Sequence, residues 1–386
     1  NNCFGKIPSR LPGGPMPRRF RNRLPFRRIE PYFCGGIFDD PLLLVRLRPL
    51  GTSLLFDCGQ LNHLATRILK SITTVFISHP HMDHFMGLAT LIRHNHVAPK
   101  TIEVFGPPGI ALRVANLLGA FAWNLAEPYW CTIRVHEVHP GLLATTLFPG
   151  PEGFVPRPVG ERVIDEGEIF RNELVTVSAE VLDHKLPVLA YRLEEQPAFV
   201  VDPARLAAVG LGPGPWIREL KDVLRQKNPA NRKVVPLRLD GTNAIGADPL
   251  ELYAAIRSEQ PPASIGYLTD IGATEANLTL ARTLLTRLTL LVADCSFLAV
   301  DEAKARASYH FTTVDLSSLV ASIRPVYLLP THFSKAYQGM VAQVYAELEL
   351  PPGTTLIRIP DHVAPRPLLA DELIPLWRRR ALFGQG

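Results

Sequence analysis

Three histidines and one aspartate stand within six residues of each other, at His79, His81, Asp83 and His84. They directly follow residues 72–77, a mostly apolar and β-branched run that is typical of a buried strand. Side chains two positions apart on an extended backbone point to the same side, so His79 and His81 can bind one metal ion. Asp83 and His84 come where a helix at residues 85–94 should begin, and therefore point to a second position.

This set of side chains indicates hydrolytic metal chemistry. A carboxylate beside imidazoles suits zinc or manganese, and two metal positions about 3.5–4 Å apart are the usual arrangement for hydrolysing phosphate esters. A histidine-rich surface loop is the structural alternative, but the strand before the motif and the helix entry at Gly87 and Leu88 disfavour it. The pattern therefore predicts a dinuclear metal centre.

The pattern His79-x-His81-x-Asp83-His84 resembles the signature of the metallo-β-lactamase superfamily. Later motifs resemble its ribonuclease Z branch, the tRNA 3′-end processing endonucleases, and the resemblance extends from about residue 31 to about residue 337. It implies an α/β fold, the αββα sandwich of two mixed sheets packed face to face with helices outside and an inserted flexible arm. We expect the domain to span residues 30–365 and the arm to span about residues 196–262.

The resemblance also implies the remaining metal ligands. The segment that begins at Asp183-His184 and continues to Pro187 and Tyr191 is similar to the family segment that supplies a third histidine to the first metal. Asp270 falls on the family aspartate that bridges the two metals, and His332 on the histidine that completes the second. The expected cofactor is two zinc ions per chain, or manganese, held by these residues: His79, His81 and His184 on the first, Asp83, His84 and His332 on the second, and Asp270 between them.

Two further motifs resemble the family's catalytic elements. Tyr309-His310-Phe311-Thr312-Thr313 is similar to its His-Ser-Thr element, and Ala293-Asp294-Cys295-Ser296 replaces its His-Glu-Ala-Thr motif. The resemblance implies a hydroxide activated by the two metals, with Asp83 beside it. His310 would protonate the departing ribose oxygen, and Asp294 would orient His310. Asp57 would support the segment from Ser78 to His84, called the metal loop below, without binding a metal.

Basic residues are concentrated in two segments. Residues 203–238 carry eight basic and two acidic residues around a Gly/Pro-rich centre and resemble the arm with which ribonuclease Z grips tRNA. Such charge suits phosphate-backbone recognition without sequence readout. Residues 1–29 carry eight basic and no acidic residues, so we expect a disordered leader, and we expect residues 366–386 to form a C-terminal extension. The predicted RNA contacts of the arm are Arg205, Arg218, Lys221 and Arg225.

Composition restricts the remaining possibilities. The 386 residues are 47% hydrophobic and 20% charged, as in a globular protein with a large core. The five cysteines are scattered without a C-x-x-C pair, which favours a reducing compartment and hence a cytoplasmic location. No apolar run reaches the roughly 18 residues of a membrane helix. The net charge of +5 permits binding to a polyanion.

The leading hypothesis is an endonuclease that removes the 3′ trailer of precursor tRNA. We expect a homodimer in which the arm of one subunit presents RNA to the site of the other. A phosphodiesterase for small or cyclic nucleotides is the alternative enzyme. A non-catalytic RNA-binding relative is the third candidate, and the complete ligand set speaks against it. The family's Phe-Leu-Gly-Thr-Gly opening and its Pro-x-Lys-x-Arg-Asn motif are both absent from the sequence.

Overall fold

The computed structural model describes residues 24–197, 199–224, 232–258 and 262–363. Its strands are β1 (Ile29–Phe33), β2 (Leu43–Leu47), β3 (Thr52–Phe56), β4 (Ile72–Phe76), β5 (Thr101–Gly106), β6 (Thr132–His139), β7 (Leu142–Pro149), β8 (Arg157–Val163), β9 (Glu168–Arg171), β10 (Val175–Asp183), β11 (Pro187–Glu195), β12 (Ser264–Leu268), β13 (Leu290–Asp294), β14 (Tyr327–Thr331) and β15 (Thr355–Leu356). Its α-helices are α1 (Thr66–Ser71), α2 (Met82–Phe85), α3 (Gly87–Asn95), α4 (Ile110–Gly119), α5 (Pro203–Ala208), α6 (Trp216–Leu224), α7 (Pro249–Ile256), α8 (Glu275–Leu284), α9 (Glu302–Ser308), α10 (Thr313–Ile323) and α11 (Val341–Glu347).

The strands form two mixed sheets. The first has eight strands in the order β1 to β8, with β3, β4, β5 and β6 parallel to one another. The second has seven strands in the order β15-β14-β13-β12-β11-β10-β9, with β12 to β15 parallel. Every residue of β12 and β13 is buried, as expected for parallel strands that are covered on both faces.

A hydrophobic core joins the facing sides of the two sheets. Phe56 and Phe76 of the first sheet contact Tyr191 of the second, with ring centroids 5.7 and 5.5 Å from it. Two further clusters cover the outer faces, one beneath α1, α3 and α4 and the other beneath α8, α10 and α11. The predicted α/β sandwich with helices outside is therefore confirmed.

The carboxyl ends of several strands meet at one edge of the sandwich. β4 ends there in the first sheet, and β12, β13 and β14 end there in the second. β10 is antiparallel to β11, which is antiparallel to β12, so β10 also ends at this edge. Every segment with a predicted metal ligand follows one of these five strand ends.

The helix after the metal loop is interrupted, although the sequence analysis predicted a continuous one. The sequence analysis placed one helix at residues 85–94, but α2 ends at Phe85 and α3 begins at Gly87. The Gly87 N–H donates a hydrogen bond to the Cys58 carbonyl at 2.8 Å, and a Cβ at Gly87 would lie 1.8 Å from the Gly59 carbonyl oxygen. This close approach between backbones requires glycine and holds the metal loop against the turn that follows β3.

The arm, here the described residues between 199 and 258, has a small hydrophobic core of its own. Trp216 and Leu220 of α6 are buried with Leu252 and Ile256 of α7. The two ends of the arm lie side by side, because the Asp202 N–H donates to the Ile256 carbonyl at 2.8 Å. The Gly/Pro-rich sequence gave no indication of this core. Because its two ends are hydrogen-bonded to each other, the arm can be removed without separating the flanking strands.

The boundary between the leader and the domain, predicted at residue 29, lies too far along the chain. Phe26 and Ile29 are buried in the core between the sheets. Glu195 accepts hydrogen bonds from the backbone N–H groups of Arg27, Arg28 and Ile29, at 3.0, 2.7 and 3.0 Å. These contacts order residues 24–29 on the domain. The rest of the predicted leader and the predicted extension at 366–386 lie outside the described residues.

Two other sequence expectations concern cysteines and membranes. Cys34, Cys58, Cys131 and Cys295 are all free thiols. None of the helices in the described ranges combines the length and the apolar character that crossing a bilayer requires.

Candidate metal centre

The structure brings all seven predicted ligands to one pocket at the shared strand edge. His79 and His81 follow β4, Asp83 and His84 lie in α2, and three more ligands follow strands of the second sheet. Three groups of side chains have ligand atoms that all lie within 4.8 Å of one another. The groups are His79, His81, His184 and Asp270; Asp83, His84 and His332; and Asp270, Asp294, His310 and His332.

The first group presents three imidazoles to one point. Nε2 of His79 and Nδ1 of His81 lie 2.8 Å apart, and the ring of His184 packs 5.3 Å from each of their rings. Nδ1 of His184 donates to the Tyr309 carbonyl at 2.7 Å. This bond places the proton on Nδ1 and leaves Nε2 with a free lone pair.

The second group joins α2 to the loop after β14. Oδ2 of Asp83 lies 3.5 Å from Nε2 of His84 and 3.3 Å from Nε2 of His332. His84 is fully buried, whereas the Asp83 side chain is 43% exposed. The second position is therefore open to solvent on the side of Asp83.

Asp270 lies between the two groups. Its Oδ2 is 3.0 Å from Nε2 of His84 and 3.6 Å from Nε2 of His79, and its Oδ1 is 3.0 Å from Nδ1 of His332. The residue has a φ of 47°, a left-handed conformation that aspartate tolerates better than most residues. This turn directly after β12 puts the carboxylate between the histidines, as a bridging ligand requires.

Asp57 supports the metal loop from behind. Its Oδ1 accepts the Ser78 N–H at 2.6 Å, and its Oδ2 accepts bonds from Nδ1 of His84 at 2.7 Å and from the Tyr267 hydroxyl at 2.9 Å. Because Nδ1 of His84 is held as a donor, Nε2 faces the pocket. This geometry agrees with the supporting role predicted for Asp57.

The imidazole pKa values in the pocket are shifted in opposite directions. Burial, together with the charge of His84, lowers the pKa of His79 to about 2, so its ring is neutral and able to bind a metal. Burial also disfavours a charged His84, but the Asp57 and Asp270 carboxylates outweigh it and raise the pKa to about 10. The carboxylates therefore attract positive charge into the pocket, and a dication would supply that charge in place of protons.

The donor set and two atoms without hydrogen bonds fit metal binding. Nε2 of His84 and Oδ1 of Asp270 are buried and have no hydrogen-bond partner among the described residues, although neighbouring polar atoms lie at 3.0 Å. Buried polar atoms are rarely left in this state, and an absent ion is a common reason. Imidazole and carboxylate donors are those that zinc and manganese prefer.

His310 and Asp294 lie next to the second group. Nδ1 of His310 is 3.1 Å from Oδ2 of Asp294. Burial disfavours the charged ring, but the Asp294 carboxylate outweighs it and raises the pKa of His310. The structure thus places the two residues side by side. It also allows both of them to bind a metal with Asp270 and His332.

Ser296 is a site residue to which the sequence analysis assigned no role. Its hydroxyl donates to Oδ1 of Asp294 at 2.6 Å and lies 3.3 and 3.2 Å from Nδ1 of His310 and Nδ1 of His332. It connects the carboxylate to both histidines. Its place two residues after Asp294, at the end of β13, was the available signal.

The four predicted RNA contacts of the arm differ in their surroundings. Arg205 is half-buried, and its Nε donates to the Ala255 carbonyl at 3.2 Å, so this side chain contributes to the arm itself. Arg218 is exposed and Lys221 is half-buried, both on α6. Arg225 lies outside the described residues.

Comparison with known proteins identifies the family. A family model described as a beta-lactamase superfamily domain matches residues 52–160. The chain is 30% identical to a ribonuclease Z of Deinococcus radiodurans over 292 residues, which cover 74% of this chain and 84% of that protein. The chain belongs to the ribonuclease Z family.

Other relatives of the family match over a similar extent. A ribonuclease BN of Cronobacter sakazakii is 30% identical over 296 residues, covering 75% of this chain and 81% of that protein. The crystal structure of the short form of human tRNase Z matches 86% of this chain and 96% of that chain, with 17% identity and a TM-score of 0.44. The two sequence relatives confirm the resemblance to ribonuclease Z that was inferred from the metal-loop motif and the motifs after it, and their names agree with the predicted hydrolase class.

Proposed function

We propose that this protein is a metal-dependent endonuclease that removes the 3′ trailer of precursor tRNA. The observation that carries the proposal is the meeting of seven imidazole and carboxylate side chains at one edge of two sheets, in a chain of the ribonuclease Z family. A dinuclear metal centre is a common solution for phosphodiester hydrolysis.

The residues divide into two metal positions. His79, His81 and His184 would hold one ion, and Asp83, His84 and His332 the other, with Asp270 shared. The imidazole and carboxylate donors favour zinc, with manganese as the other candidate. When bound, the two ions supply a water molecule of lowered pKa and offset the charge that develops on the phosphate.

We further propose that His310 protonates the departing ribose oxygen. The Asp294 carboxylate, 3.1 Å from Nδ1, favours the charged imidazole and leaves Nε2 as the donating atom. The Ser296 hydroxyl donates to the other carboxylate oxygen of Asp294, Oδ1. A glutamine at position 310 would keep the volume of the side chain but could not transfer this proton.

We propose that the arm binds the RNA backbone. The exposed Arg218 and the half-buried Lys221 lie on α6, whose apolar residues pack into the arm core. Arg205 bonds within the arm, and Arg225 lies outside the described residues, so the proposal rests on Arg218 and Lys221. We also propose a homodimer in which each arm serves the other subunit's site, and a cytoplasmic location, which four free cysteines support.

The test is cleavage of a labelled precursor tRNA by the purified protein with zinc, with His81→Ala as the inactive control. We expect release of the 3′ trailer by the wild type and a rate at least about 100-fold lower for the variant. Failure of the wild type to cut, under conditions where it hydrolyses bis(4-nitrophenyl) phosphate, would replace this proposal with a phosphodiesterase for small or cyclic nucleotides.

A second arm of the test separates the two substrate classes. Residues 202–256 can be replaced by a short Gly/Ser linker, because the two ends of the arm are hydrogen-bonded to each other. We expect cleavage of precursor tRNA to fall by about 100-fold or more, through the loss of several phosphate contacts. Hydrolysis of bis(4-nitrophenyl) phosphate should stay unchanged.

A further inference from the structure

An open cleft of about 410 Å³ adjoins the second metal position. Asp83, His310 and His332 are among the residues that line it. Two more carboxylates, Asp39 and Asp40, also line it, so three acidic side chains face the cleft. An RNA chain that enters the cleft brings negative phosphates past these carboxylates.

Lys335 is the one lysine or arginine among the described residues that line this cleft. Its side chain is exposed, and its ammonium forms no ion pair with any part of the chain that the structure describes. Lys335 is nevertheless close enough to Asp40 for its charge to oppose the rise in the Asp40 pKa that burial causes. The ammonium is thus near Asp40 and is available to bind another anion.

The backbone at Lys335 is fixed relative to the metal centre. It begins a short 3-10 turn, Lys335–Tyr337, three residues after His332. The Ser334 N–H donates to the Ser296 carbonyl at 3.1 Å, and the buried Tyr337 hydroxyl accepts the Leu298 N–H at 3.1 Å. The side chain therefore extends from a held position beside the cleft, which lowers the entropy cost of placing its charge.

We propose that Lys335 binds a backbone phosphate of the RNA next to the one that is cleaved. The inference rests on the proposed function and adds a residue that selects a polymeric substrate. Lys335 forms no ion pair with Asp83 or Asp270 within the described residues, so its ammonium lies outside the ligand cluster that would hold the reacting phosphate. A lysine acts as a point charge towards phosphate, and this contact needs no base recognition.

The test compares Lys335→Gln with Lys335→Arg and with the control Lys70→Gln. Lys70 is also exposed, but it lies on α1, just before β4 begins and away from the site at the far end of that strand. Each variant is assayed for kcat and KM on precursor tRNA over a range of salt concentrations, for hydrolysis of bis(4-nitrophenyl) phosphate, and for zinc content.

We expect Lys335→Gln to raise KM for precursor tRNA about fivefold at 0.1 M salt and to lower the slope of log KM against log salt by about 0.7, the value for one phosphate contact on a single strand. Its kcat, its zinc content and its hydrolysis of bis(4-nitrophenyl) phosphate should match the wild type. Lys335→Arg should retain the wild-type KM, and Lys70→Gln should leave both KM and the salt slope unchanged.

Equal effects of Lys335→Gln and Lys70→Gln on the salt slope would overturn the inference, because they would show a general effect of net charge. A parallel loss of bis(4-nitrophenyl) phosphate hydrolysis would also overturn it, because that substrate has no flanking phosphate. If the wild type fails to cleave precursor tRNA, the proposed function fails, and binding of a labelled single-stranded RNA in EDTA still tests Lys335. Equal salt slopes for wild-type and Lys335→Gln binding would then reject the contact.

Discussion

At the scale of single residues, Asp57 joins the two sheets to the metal loop. It is fully buried, and its two oxygens accept bonds from Ser78 of the metal loop, from His84 of α2 and from Tyr267 of the second sheet. Its φ of 56° turns the side chain towards the pocket immediately after β3. Three elements are thereby oriented by one carboxylate, which fixes the tautomer of His84 as well as its position.

We predict that Asp57→Asn weakens zinc binding about 10- to 100-fold, as is typical for the loss of a group that orients a metal ligand. Asparagine has one acceptor oxygen where Asp57 uses two, so either the Ser78 N–H or Nδ1 of His84 loses its acceptor and the metal loop is no longer fully oriented. The measurement is zinc affinity by competition with a chromophoric chelator. Asp240→Asn is the matched control, because Asp240 accepts bonds from Thr242 in an exposed turn of the arm. Equal zinc affinity in both variants would contradict the orienting role of Asp57.

At the scale of elements, the carboxyl ends of the strands determine where the ligands meet. The position of the ligands that follow β4 was predictable from the local sequence, because residues 72–77 have the composition of a buried strand and the motif after them alternates by two. The meeting of these ligands with those from the second sheet was predictable only through the family motifs. Asp83 and His332 are 249 positions apart, and no local periodicity relates them.

Other features of the elements have no signal in the sequence. The break between α2 and α3 depends on contact of Gly87 with the backbone at Cys58 and Gly59, which is a tertiary contact. The core of the arm pairs Trp216 with residues of α7, across a segment whose glycines and prolines suggested only a jointed loop. Ser296 acquires its contacts because β13 and β14 are neighbours.

The start of α10 positions the loop that contains His310. Thr312 and Asp315 form a capping box, and Asp315 also pairs with Arg306 of α9. Burial raises the pKa of Asp315, but its bonds to Arg306 and Thr312 outweigh this and lower the pKa below its ordinary value. The folded carboxyl group thus has a lower pKa than the unfolded one, so its stabilisation is present above about pH 4 and is lost as the pH falls through the folded pKa.

We predict that Asp315→Asn lowers the free energy of unfolding by about 1–2 kcal/mol at pH 7, the usual cost of a lost cap and charged hydrogen bond. The difference from the wild type should shrink below about pH 4. Urea unfolding at pH 7 and at acid pH measures both values. Glu302→Gln is the control, since Glu302 contacts the same Arg306 but is 64% exposed. A constant difference at all pH values would rule out the charge as the cause.

At the scale of the whole molecule, the site exists only while the two sheets are packed together. The Tyr191 hydroxyl of the second sheet donates to the Ile77 carbonyl at 2.6 Å, and the Leu189 N–H donates to the Ser78 carbonyl at 2.9 Å. These bonds fix the start of the metal loop to β11. The arm extends from the end of the same strand, so the arm proposed to bind RNA and the proposed metal centre share one support.

The proposed dimer makes a prediction about mixed subunits. A chain without residues 202–256 and a chain with His81→Ala should each fail to cleave precursor tRNA. Co-expressed with two different tags and purified through both, they should form a dimer with about half the wild-type rate, because one intact site then meets one intact arm. No activity in the purified mixed dimer would show that each arm serves its own subunit.

The central claim is that seven side chains, from His79 to His332, hold two divalent cations. Its most direct test is the number of zinc ions per chain, measured by mass spectrometry after equilibrium dialysis, for the wild type and for Asp270→Ala. We predict two zinc ions for the wild type and a clear loss for the variant, because the shared carboxylate contacts both groups of histidines. A wild-type protein that binds no zinc or manganese, or an Asp270→Ala variant that retains two ions with unchanged affinity, would contradict the account.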